Sequence, residues 1–492
     1  MLLLAKYFVA LCTSTCAVSA ALVPYTGPAP DLPADRQPFG FGVQTTGGAA
    51  ANTSSVFLVD NMIDLRAALT LPYPRIVYVK GNVAGNEITS GPNGTVYADC
   101  QWYIDNGPVK NFNFTQYIMS LNSSYTDSVA AAAAANGTID GYNATEYLVL
   151  LKKMNGWRPQ AQNSQKIWAA INVQSNLTLI GWDGDAYLNG VSLIFNAVSN
   201  IIVRNLKMSS VRDCFPAPET LTSWNARYDA MSLVTSTNFW IDGNIFADGP
   251  APVAPEPVIW NYQVDRYDGL VDCEDGSDNI TFSHNVVANH HKSMLLGGGL
   301  KERERDLGKM RFTLFGNHFL NSNSRNPLMR FGTFYIINNL FTNLALNASF
   351  YQRPFQYNFG IYTESSALVA GNIFYQDPVT SGPTKIFSYS GLTNSSLPSR
   401  LCVPAAESNS TGLANLASPG SELNGVEFDL QADAQQKFEQ VVATSPDTAV
   451  EGSLLISCNG FKDQEVPIAF DTADDVEAYV RAQSGQLNSH LP

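Results

Sequence analysis

Six short segments of the chain repeat one pattern of apolar and polar positions. In each, apolar residues alternate with other residues and lead to an asparagine, which further apolar residues follow. The recurrent residues are Asn205, Asn244, Asn285, Asn317, Asn339 and Asn372, spaced 39, 41, 32, 22 and 33 residues apart. A shortest period of 22 residues, lengthened irregularly, predicts a solenoid of short strands with loops growing on one face.

An asparagine suits a recurrent solenoid position because its side chain tolerates a left-handed bend. The same side chain can hydrogen-bond the equivalent residue one coil away. The alternative interpretation is a β-sandwich whose strands happen to be rich in Val, Ile and Phe. Sandwich strands should lie closer together and more evenly along the chain, so the spacing favours the solenoid.

Two segments before the repeats predict helices. Residues 60–69 combine a polar start with apolar residues at helical spacing, which predicts a helix that caps the first coil. Residues 92–166 are rich in Asn and Gly and form an insertion. Within it, helices are expected around residues 130–135 and around residues 146–154.

The end of the chain is expected to pack on the solenoid as a separate region. Residues 391–469 are poor in periodicity and predict loops on the outside. A short amphipathic helix is expected between Thr472 and Gly485, which are its start and stop signals. The predicted parts are a signal peptide at 1–20, a solenoid domain at 21–390 with its insertion at 92–166, and the C-terminal region at 391–492.

The first residues have the build of a cleavable signal peptide. An apolar stretch after Lys6 ends in small residues at Val18-Ser-Ala20, so the mature protein is expected to start near Ala21. The stretch is too short to span a bilayer, and no later segment supplies about 20 apolar residues in a row. A secreted, extracellular protein without a membrane segment is therefore predicted.

Eleven Asn-x-Ser/Thr sequons agree with a secreted glycoprotein. They lie at Asn52, Asn93, Asn113, Asn122, Asn136, Asn143, Asn176, Asn279, Asn347, Asn394 and Asn409. Each match alone is a weak signal, but their density supports the secretory route.

The cysteines predict disulfides and one free thiol. Two of the seven lie in the signal peptide, so an odd number remains and at least one cannot pair. Cys273 follows an apolar register and is expected to be a small buried hydrophobe. Two disulfides are expected among the other four, with Cys402–Cys458 as the preferred pair. The chain has no Cys-x-x-Cys pair, which argues against a zinc site.

The formal net charge of −14 argues against nucleic acid as a partner. It would also slow the approach of any acidic polymer. Binding of a polyanion would therefore depend on local cations, which makes the placement of Lys, Arg and a metal ion decisive.

Three aspartates are candidates for a metal site. Asp229, Asp268 and Asp272 each lie near a repeat asparagine, so a solenoid would stack them on neighbouring coils. Carboxylates that lie so close together raise one another's pKa unless a cation joins them. Oxygen ligands with room for water and substrate suit calcium. The alternative is three solvated loop aspartates.

Three cations are candidates for binding acid groups. Arg325 and Arg330 are separated by five positions with Pro327 between them, so one strand and turn could direct both toward the same groove. Lys292 could join them from the preceding coil. Arginine favours planar, bidentate contacts with carboxylates, and a uronic acid chain would offer such groups. The alternative is surface charges that pair with the acidic remainder of the protein.

Several other polar residues are interpreted as structural. His284, His290 and His291 could suggest a histidine base, but a histidine near a strand end is more often a hydrogen-bonded structural residue. Asp242, within Trp-Ile-Asp, is also assigned a structural rather than a catalytic role.

From about Phe39 to Phe374 the chain resembles the pectate and pectin lyases of polysaccharide lyase family 1. The resemblance rests on four ordered motifs: Asp-Ala before Trp-Ile-Asp, then Asp-Gly-x-x-Asp, then His-x-Lys, then Arg-x-Pro-x-x-Arg. Further similar segments are Gly40–Gly48, Pro74–Gly81, Ser175–Gly181 and Val203–Leu206. Four such motifs in one order are hard to obtain by chance.

The resemblance implies an all-β, right-handed parallel β-helix with short flanking helices and long loops. It also implies a pectate lyase that cleaves polygalacturonate by calcium-assisted β-elimination. Because an arginine is a poor base at its ordinary pKa and serves only when other cations crowd it, activity is expected to rise into alkaline pH. A monomer is also expected. By resemblance, the calcium ligands are Asp229, Asp268 and Asp272, the base is Arg325, and the substrate-carboxylate binders are Lys292 and Arg330.

Two positions depart from the family pattern. Gly243 stands where the family usually has His after Trp-Ile-Asp. Arg227 stands where some members carry a further calcium-binding Asp. The second departure suggests weaker calcium affinity in the absence of substrate.

Three alternatives remain at this stage. A pectin lyase would act on methyl-esterified substrate without calcium. In that branch of the family a cation tends to replace one of the carboxylates. The presence of both Asp268 and Asp272 therefore favours a pectate lyase. A non-catalytic β-helix that binds cell-wall polysaccharide would have no need of Arg325. A hydrolase of the same fold would need paired carboxylates as acid and base, whereas here the metal explains them better.

Overall fold

The computed structural model describes most of the chain between Leu22 and Gln486. The described residues are 22–32, 36–89, 94–220, 223–248, 258–259, 262–343, 355–376, 384–390, 397–404, 420–444, 454–462 and 466–486. The predicted signal peptide, the expected start at Ala21 and four sequons lie outside them. Those sequons are Asn93, Asn347, Asn394 and Asn409.

Three sheets follow one another around the coils and form the predicted right-handed parallel β-helix. Their strands pair in parallel, except that Glu422–Leu423 and Val426–Glu427 pair antiparallel at the end of the ten-stranded sheet. The eleven-stranded sheet contains Val56–Val59, Arg75–Val79, Leu177–Gly181, Ser199–Arg204, Thr237–Asp242, Asp278–Ser283, Arg311–Phe315, Thr333–Ile337, Ser366–Ala370, Ser399–Cys402 and Leu454–Ile456. The ten-stranded sheet contains Asn82–Ala84, Tyr187–Asn189, Lys207–Met208, Ile245–Ala247, Val286–Ala288, His318–Leu320, Leu340–Asn343, Ile373–Gln376, Glu422–Leu423 and Val426–Glu427. The eight-stranded sheet contains Ala170–Val173, Ser192–Asn196, Met231–Val234, Val271–Glu274, Leu295–Leu296, Leu328–Met329, Phe359–Tyr362 and Phe387–Ser390.

Short antiparallel pairs and helices decorate this solenoid. The two-stranded pairs are Glu87–Thr89 with Val96–Tyr97, Thr138–Ile139 with Tyr142–Asn143, Ala217–Thr220 with Ser223–Asn225, and Val258–Ile259 with Tyr262–Gln263. The α-helices are Met62–Leu69, Cys100–Asp105, Phe114–Ser120, Ser123–Ala134, Ala144–Ala169, Arg303–Asp306, Leu430–Thr444 and Ala473–Gln483. Short 3-10 turns occur at Gly40–Gly42, Thr53–Ser55 and Leu300–Glu302.

The recurrent asparagines form a buried ladder between coils, which confirms the predicted side-chain contact. The Oδ1 atom of Asn285 accepts hydrogen bonds from the backbone N–H and the Nδ2 of Asn244, at 2.9 and 3.0 Å. Asn339 accepts the same two bonds from Asn317, both at 2.9 Å. Because these groups are buried, each satisfied donor removes a desolvation cost.

The predicted reason for asparagine is only partly right. Among the six repeat residues, Asn205 alone has a positive φ, of 56°. In the other repeats the left-handed bend falls one residue earlier, for example at Gly243 with φ 66° and at His284 with φ 52°. The asparagine is therefore selected for its hydrogen bonds, and the preceding residue takes the bend.

Apolar side chains fill the interior of the coils and stack along the axis. Phe319, Phe341 and Phe374 lie one above the other with ring centroids 4.8 and 5.0 Å apart. Offset stacking at such distances adds to the gain from burial. Cys273 is a free, buried thiol, as predicted.

The insertion contains the two predicted helices and two others. The longest helix, Ala144–Ala169, runs directly into Ala170–Val173, the first strand of the eight-stranded sheet. The Cys100–Cys214 disulfide ties the insertion to the solenoid. The insertion therefore has a defined position beside that sheet.

The prediction of outer loops for residues 391–469 is wrong for much of their described part. The strands Ser399–Cys402 and Leu454–Ile456 extend the eleven-stranded sheet by two coils. The helix Leu430–Thr444 buries Leu430, Ala434 and Phe438 in the main core. These coils lack the asparagine of the repeats, which is why the pattern did not reveal them.

Two other predictions for the flanking regions are confirmed. The preferred disulfide Cys402–Cys458 is present. The last helix, Ala473–Gln483, begins after Thr472, whose side chain accepts a hydrogen bond from the backbone N–H of Asp475. Among the described residues, no helix combines the length and apolar character needed to cross a membrane.

Candidate active site

The eight-stranded sheet carries the polar residues that the sequence analysis singled out. Asp229 precedes the strand Met231–Val234 by two positions, and Asp272 lies within Val271–Glu274. The register of these two parallel strands places Ser232 beside Asp272. Because neighbouring strands are about 4.8 Å apart, side chains from successive coils meet on this face.

Five of the six predicted site residues line one open pocket of about 540 Å³ on this face. They are Asp229, Asp268, Asp272, Lys292 and Arg325. The prediction that neighbouring coils would bring these residue types together therefore agrees with the geometry.

The three aspartates, called the pocket carboxylates below, repel one another. Burial and then the charge of Asp268 raise the pKa of Asp229 above its ordinary range. Burial and then the charges of Asp229 and Asp268 raise the pKa of Asp272 further. The backbone N–H groups of Gly269 and Leu295 donate to Asp229 and Asp272 at 2.9 and 3.0 Å, but they offset only part of this cost.

Two cations face these carboxylates. The Nζ of Lys292 lies 2.9 Å from Oδ1 of Asp268. Burial lowers the pKa of Lys292, but the attraction of Asp268 and Asp265 outweighs it, so that the pKa is raised and the amine stays charged. Arg325 completes the group from the next coil, where its carbonyl oxygen accepts the N–H of Met294 at 2.9 Å.

Arg325 has a left-handed backbone, with φ 59°. For a residue with a side chain this conformation costs about 1 kcal/mol or more. Such strain persists where the surrounding structure enforces it, and it concentrates at functional sites. The side chain of Arg325 lines the pocket from this left-handed position.

Arg330, the sixth predicted residue, does not line the pocket. Its Nη1 donates to the carbonyl oxygens of Gly297 and Gly298, at 3.1 and 2.9 Å, and its guanidinium lies 5.1 Å from the ring centroid of Tyr362. Burial lowers its pKa. A guanidinium has five N–H donors, so these contacts leave donors for a further acceptor.

Two histidines hold the segment that carries Asp268, as their structural assignment predicted. His290 bonds Oδ1 of Asp248 through Nδ1, at 2.7 Å, and the carbonyl oxygen of Asp268 through Nε2, at 2.6 Å. His291 bonds Asp265 at 2.9 Å. These bonds position the carboxylate of Asp268 and use the ring nitrogens of His290 fully.

The third histidine lies on a different sheet. His284 bonds Oδ1 of Asp242 at 2.7 Å and the hydroxyl of Tyr479 at 2.9 Å. Asp242 also bonds Nε of Arg204 at 3.1 Å. Both residues end or follow strands of the eleven-stranded sheet, which agrees with their assignment as structural residues outside the pocket.

The sequence analysis missed several residues of the pocket lining. Lys166, Trp224, Asn225 and Asp265 lie there, and so does Arg227, which had been noted only as a departure from the family pattern. Asp265 precedes Asp268 by three positions, so the local concentration of carboxylates was a usable signal. Lys166 comes from the insertion helix and had no local signal at all.

The donor set fits a divalent cation whose shell is completed from outside the protein. Buried carboxylates that raise one another's pKa would be relieved by such an ion, and carboxylate oxygens are the ligands that calcium prefers. Within the described ranges, no three His, Cys, Asp or Glu side chains come together as a metal-binding group. Water or ligand oxygens would therefore have to supply part of the coordination.

Comparisons with known proteins point to one family. A family model described as pectate lyase matches residues 152–418. A pectate lyase of Bacillus subtilis (strain 168) is 28% identical over 364 residues, which are 72% of this chain and 78% of that protein. Pectate lyase A of Dickeya chrysanthemi is 32% identical over 267 residues, which are 52% of this chain and 64% of that protein.

Solved structures agree with the sequence comparisons. The thermostable pectate lyase PL 47 superposes with a TM-score of 0.70 at 26% identity, covering 92% of this chain and 97% of that one. A pectate lyase bound to a hexasaccharide gives a TM-score of 0.68 at 23% identity, covering 91% of this chain and 96% of that one. At that lower identity the second likeness supports the fold alone.

Proposed function

Because this chain belongs to the pectate lyase family, we propose that it cleaves (1→4)-α-D-galacturonan by calcium-assisted β-elimination and releases unsaturated oligogalacturonides. The observation that carries the proposal is the single pocket that the three pocket carboxylates line together with Lys292 and Arg325. Cations of this kind suit an acidic polysaccharide, although the chain as a whole carries a net charge of −14.

The reaction removes the proton on C5 of a galacturonate unit, beside its carboxylate. The electron pair of that C–H bond forms a C4–C5 double bond, and the C4–oxygen bond to the neighbouring sugar breaks. The departing oxygen then takes up a proton. The C5 proton is weakly acidic until the adjacent carboxylate is neutralised, so the main task of the protein is to stabilise the negative charge that develops.

The pocket residues divide this task. Asp229, Asp268 and Asp272 are the proposed ligands of calcium, which when bound supplies positive charge next to the substrate carboxylate. Lys292 points its charged amine into the same pocket and would pair with that carboxylate. Arg330 lies near enough to Arg325 for the charge of Arg325 to add to burial in lowering its pKa, and it has donors left for a second contact.

Arg325 is the proposed base. Guanidinium groups are ordinarily protonated, so an arginine acts as a base only when neighbouring cations disfavour its charge. The positive charge of Arg325 acts to lower the pKa values of Lys292 and Arg330, so these three cations lie close together. We therefore expect activity to rise into alkaline pH.

We also propose that the protein is secreted and monomeric. Two disulfides are present, and disulfides form mainly in oxidising compartments. The predicted signal peptide and the density of sequons agree with that route. The monomeric state stays a prediction, which sedimentation of the purified protein would test.

The proposed function is tested by the absorbance of unsaturated product. Purified protein is mixed with polygalacturonate at alkaline pH, first with calcium and then with a chelator, and we expect a calcium-dependent rise. A chelator-resistant rise on methyl-esterified pectin would instead show a pectin lyase. No product from either substrate would leave a polysaccharide-binding protein.

A further inference from the structure

Seven of the eleven sequons lie in the described part of the chain, and the structure divides them into two groups. Five lie on the outside of the protein and are called the outer sequons: Asn52, Asn113, Asn122, Asn136 and Asn143. All of these except Asn52 belong to the insertion. The other two, Asn176 and Asn279, lie at strands of the eleven-stranded sheet and are called the covered sequons.

The outer sequons expose the side chains that N-glycosylation requires. Their asparagines are exposed, except that Asn122 is half-buried. The Ser or Thr two positions later is exposed in all five. Because an N-linked oligosaccharide is bulky and hydrated, the folded protein accommodates it only on such a surface.

Three asparagines of the insertion use only one end of the side-chain amide. Asn122 and Asn143 each cap a helix, and their Oδ1 atoms accept the backbone N–H groups of Tyr125 and Glu146, both at 3.1 Å. Asn113 caps the helix that follows it in the same way. Within the described residues, no acceptor bonds the Nδ2 atom of any of the three. A glycan can therefore occupy Nδ2 while Oδ1 keeps the cap.

The covered sequon at Asn279 lies under the N-terminal segment. Its third residue, Thr281, is fully buried. The Oγ1 atom of Thr281 donates to the carbonyl oxygen of Phe39 at 2.6 Å and accepts the N–H of Gly42 at 2.9 Å. An oligosaccharide attached two positions earlier on the same strand would compete with residues 39–42 for this space.

The covered sequon at Asn176 lies under the continuation of that segment. Its Oδ1 accepts Nδ2 of Asn200 at 2.9 Å, and Oδ1 of Asn200 in turn accepts the N–H of Gly47 at 2.7 Å. The third sequon residue, Thr178, accepts the N–H of Gly48 at 2.8 Å through Oγ1. A glycan on either covered sequon would therefore displace part of the segment 39–48.

We propose that the outer sequons carry N-linked oligosaccharides and that the covered sequons carry none. In the attachment step, Nδ2 of the asparagine attacks the anomeric carbon of an oligosaccharide held on a lipid diphosphate. A C–N bond forms, the bond from that carbon to the phosphate oxygen breaks, and the lipid diphosphate leaves as Nδ2 gives up one proton. The modified amide retains Oδ1, so Asn113, Asn122 and Asn143 remain helix caps.

This inference rests on the proposed secretion, because the secretory pathway supplies the lipid-linked donor, and it does not depend on the proposed reaction. The insertion thereby gains a carbohydrate coat that leaves the pocket open. None of the described residues that line the pocket belongs to a sequon. Asn143 precedes the helix Ala144–Ala169 and Lys166 lies in its last turn, so about 35 Å of helix separates that glycan from the pocket.

Occupancy measured site by site tests the proposal. The full chain is secreted from a eukaryotic host, and its N-glycans are removed with an amidase that converts each occupied asparagine to aspartate. Peptide mass spectrometry should show conversion at the outer sequons and unchanged asparagine at Asn176 and Asn279. Unmodified outer sequons in the secreted protein, or glycans on the covered sequons, would overturn the proposal.

The same sample separates this inference from the proposed function. Unsaturated product from polygalacturonate reports the reaction, whereas occupancy reports the modification. An active secreted protein with unmodified outer sequons would remove this inference alone. An inactive protein with occupied outer sequons would remove the proposed reaction alone.

Variants at one site test the double use of Asn143. Thr145→Ala removes the sequon and keeps the cap, Asn143→Asp removes the glycan and keeps a cap acceptor, and Asn143→Gln removes both. All three should lose the glycan here without a change in turnover. Only Asn143→Gln should also melt lower than Asn143→Asp, by about 1–2 °C. Equal melting temperatures would show that the asparagine does not serve both purposes.

The matched control is Asn155→Gln. Asn155 is exposed on the same long helix and lies outside any sequon. The replacement should leave the occupancy of Asn143 and the melting temperature unchanged. Loss of the Asn143 glycan in this control would show that occupancy follows the condition of the helix rather than the sequon, which contradicts the proposal.

Discussion

The carboxylate of Asp242 and the three pocket carboxylates lie on different sheets and show opposite electrostatics. On the eleven-stranded sheet, Asp242 lies between His284 and Arg204, with Arg36 3.6 Å away; these residues are called the Asp242 cluster below. Burial alone would raise the pKa of Asp242, but these partners lower it to about 2. On the eight-stranded sheet, the pKa values of the pocket carboxylates Asp229 and Asp272 are raised.

The difference indicates that Asp242 stabilises the fold, whereas the pocket carboxylates serve binding. In the Asp242 cluster the protein itself supplies the countercharge, so the carboxylate stabilises the fold. The pKa of His284 is lowered because burial outweighs the attraction of Asp242, so we assign a neutral imidazole that donates from Nδ1 and leave charge compensation to the arginines. In the pocket the protein supplies too few cations, and the missing charge must come from a bound ion and substrate.

The largest effect should come from a pocket residue whose loss leaves the fold intact. Arg325→Lys keeps the charge but removes the proposed base, so kcat on polygalacturonate should fall about a thousandfold while the melting temperature stays within a degree or two. Arg305→Lys, an exposed arginine paired with Asp275, is the control and should keep its activity. Near-native turnover of a folded, calcium-replete Arg325→Lys variant would remove the proposed mechanism.

The Asp242 cluster should behave in the opposite way. Asp242→Asn breaks a buried ion pair and should lower the free energy of unfolding by about 3 kcal/mol, with little change in kcat of the folded fraction. Denaturant unfolding and product assays on the same sample would check both parts. Asp185→Asn, an exposed aspartate, is the control.

The acid response of the same residue gives a second readout. A carboxylate whose pKa is lowered on folding stabilises the protein fully above its unfolded pKa, near 3.9, and loses that effect as the pH falls through its folded pKa of about 2. The stability that Asp242 contributes should thus decline between about pH 4 and pH 2. If wild type and Asp242→Asn lose stability equally over that window, the assignment of Asp242 is wrong.

Calcium should distinguish the two groups by its effect on melting. For the wild type, free calcium at about 100 times its Kd should add about 2.7 kcal/mol to the free energy of unfolding. Asp272→Asn should lose most of this gain. Without calcium it should be at least as stable as wild type, since the replacement removes repulsion from Asp229 and Asp268. Asp242→Asn should keep the gain, and an equal loss in both variants would contradict the comparison.

The repeated asparagines allowed the fold to be predicted from the sequence, and the prediction failed in the coils that lack them. The repeated asparagine marks a coil in the sequence because Asn244, Asn285, Asn317 and Asn339 each donate to the asparagine of the next coil. The strands Ser399–Cys402 and Leu454–Ile456 complete coils without that partner. Their pairing depends on the sheet already formed before them, so the local sequence carries little sign of it.

The candidate site was predictable where its residues came from the coils themselves. Asp229, Asp272 and Arg325 lie close to strands of one sheet, so the repeat brings them together. Lys166 reaches the pocket only because the insertion helix packs beside that sheet. Such a contact depends on tertiary packing between segments far apart in sequence, and no local pattern encodes it.

The smallest expected effect is that of Gly243→His, which places the usual residue of the family beside the Asp242 cluster. Gly243 has φ 66°, and a Cβ there would lie 3.3 Å from Nη1 of Arg36. Histidine enters this left-handed region more readily than most residues, as His284 does at the equivalent position one coil on. Gly243→His should therefore cost only about 1 kcal/mol of unfolding free energy, through backbone strain and a shift of Arg36. Turnover and calcium dependence should stay unchanged, because the eleven-stranded sheet does not line the pocket. A change in either would show that the Asp242 cluster is coupled to the pocket carboxylates.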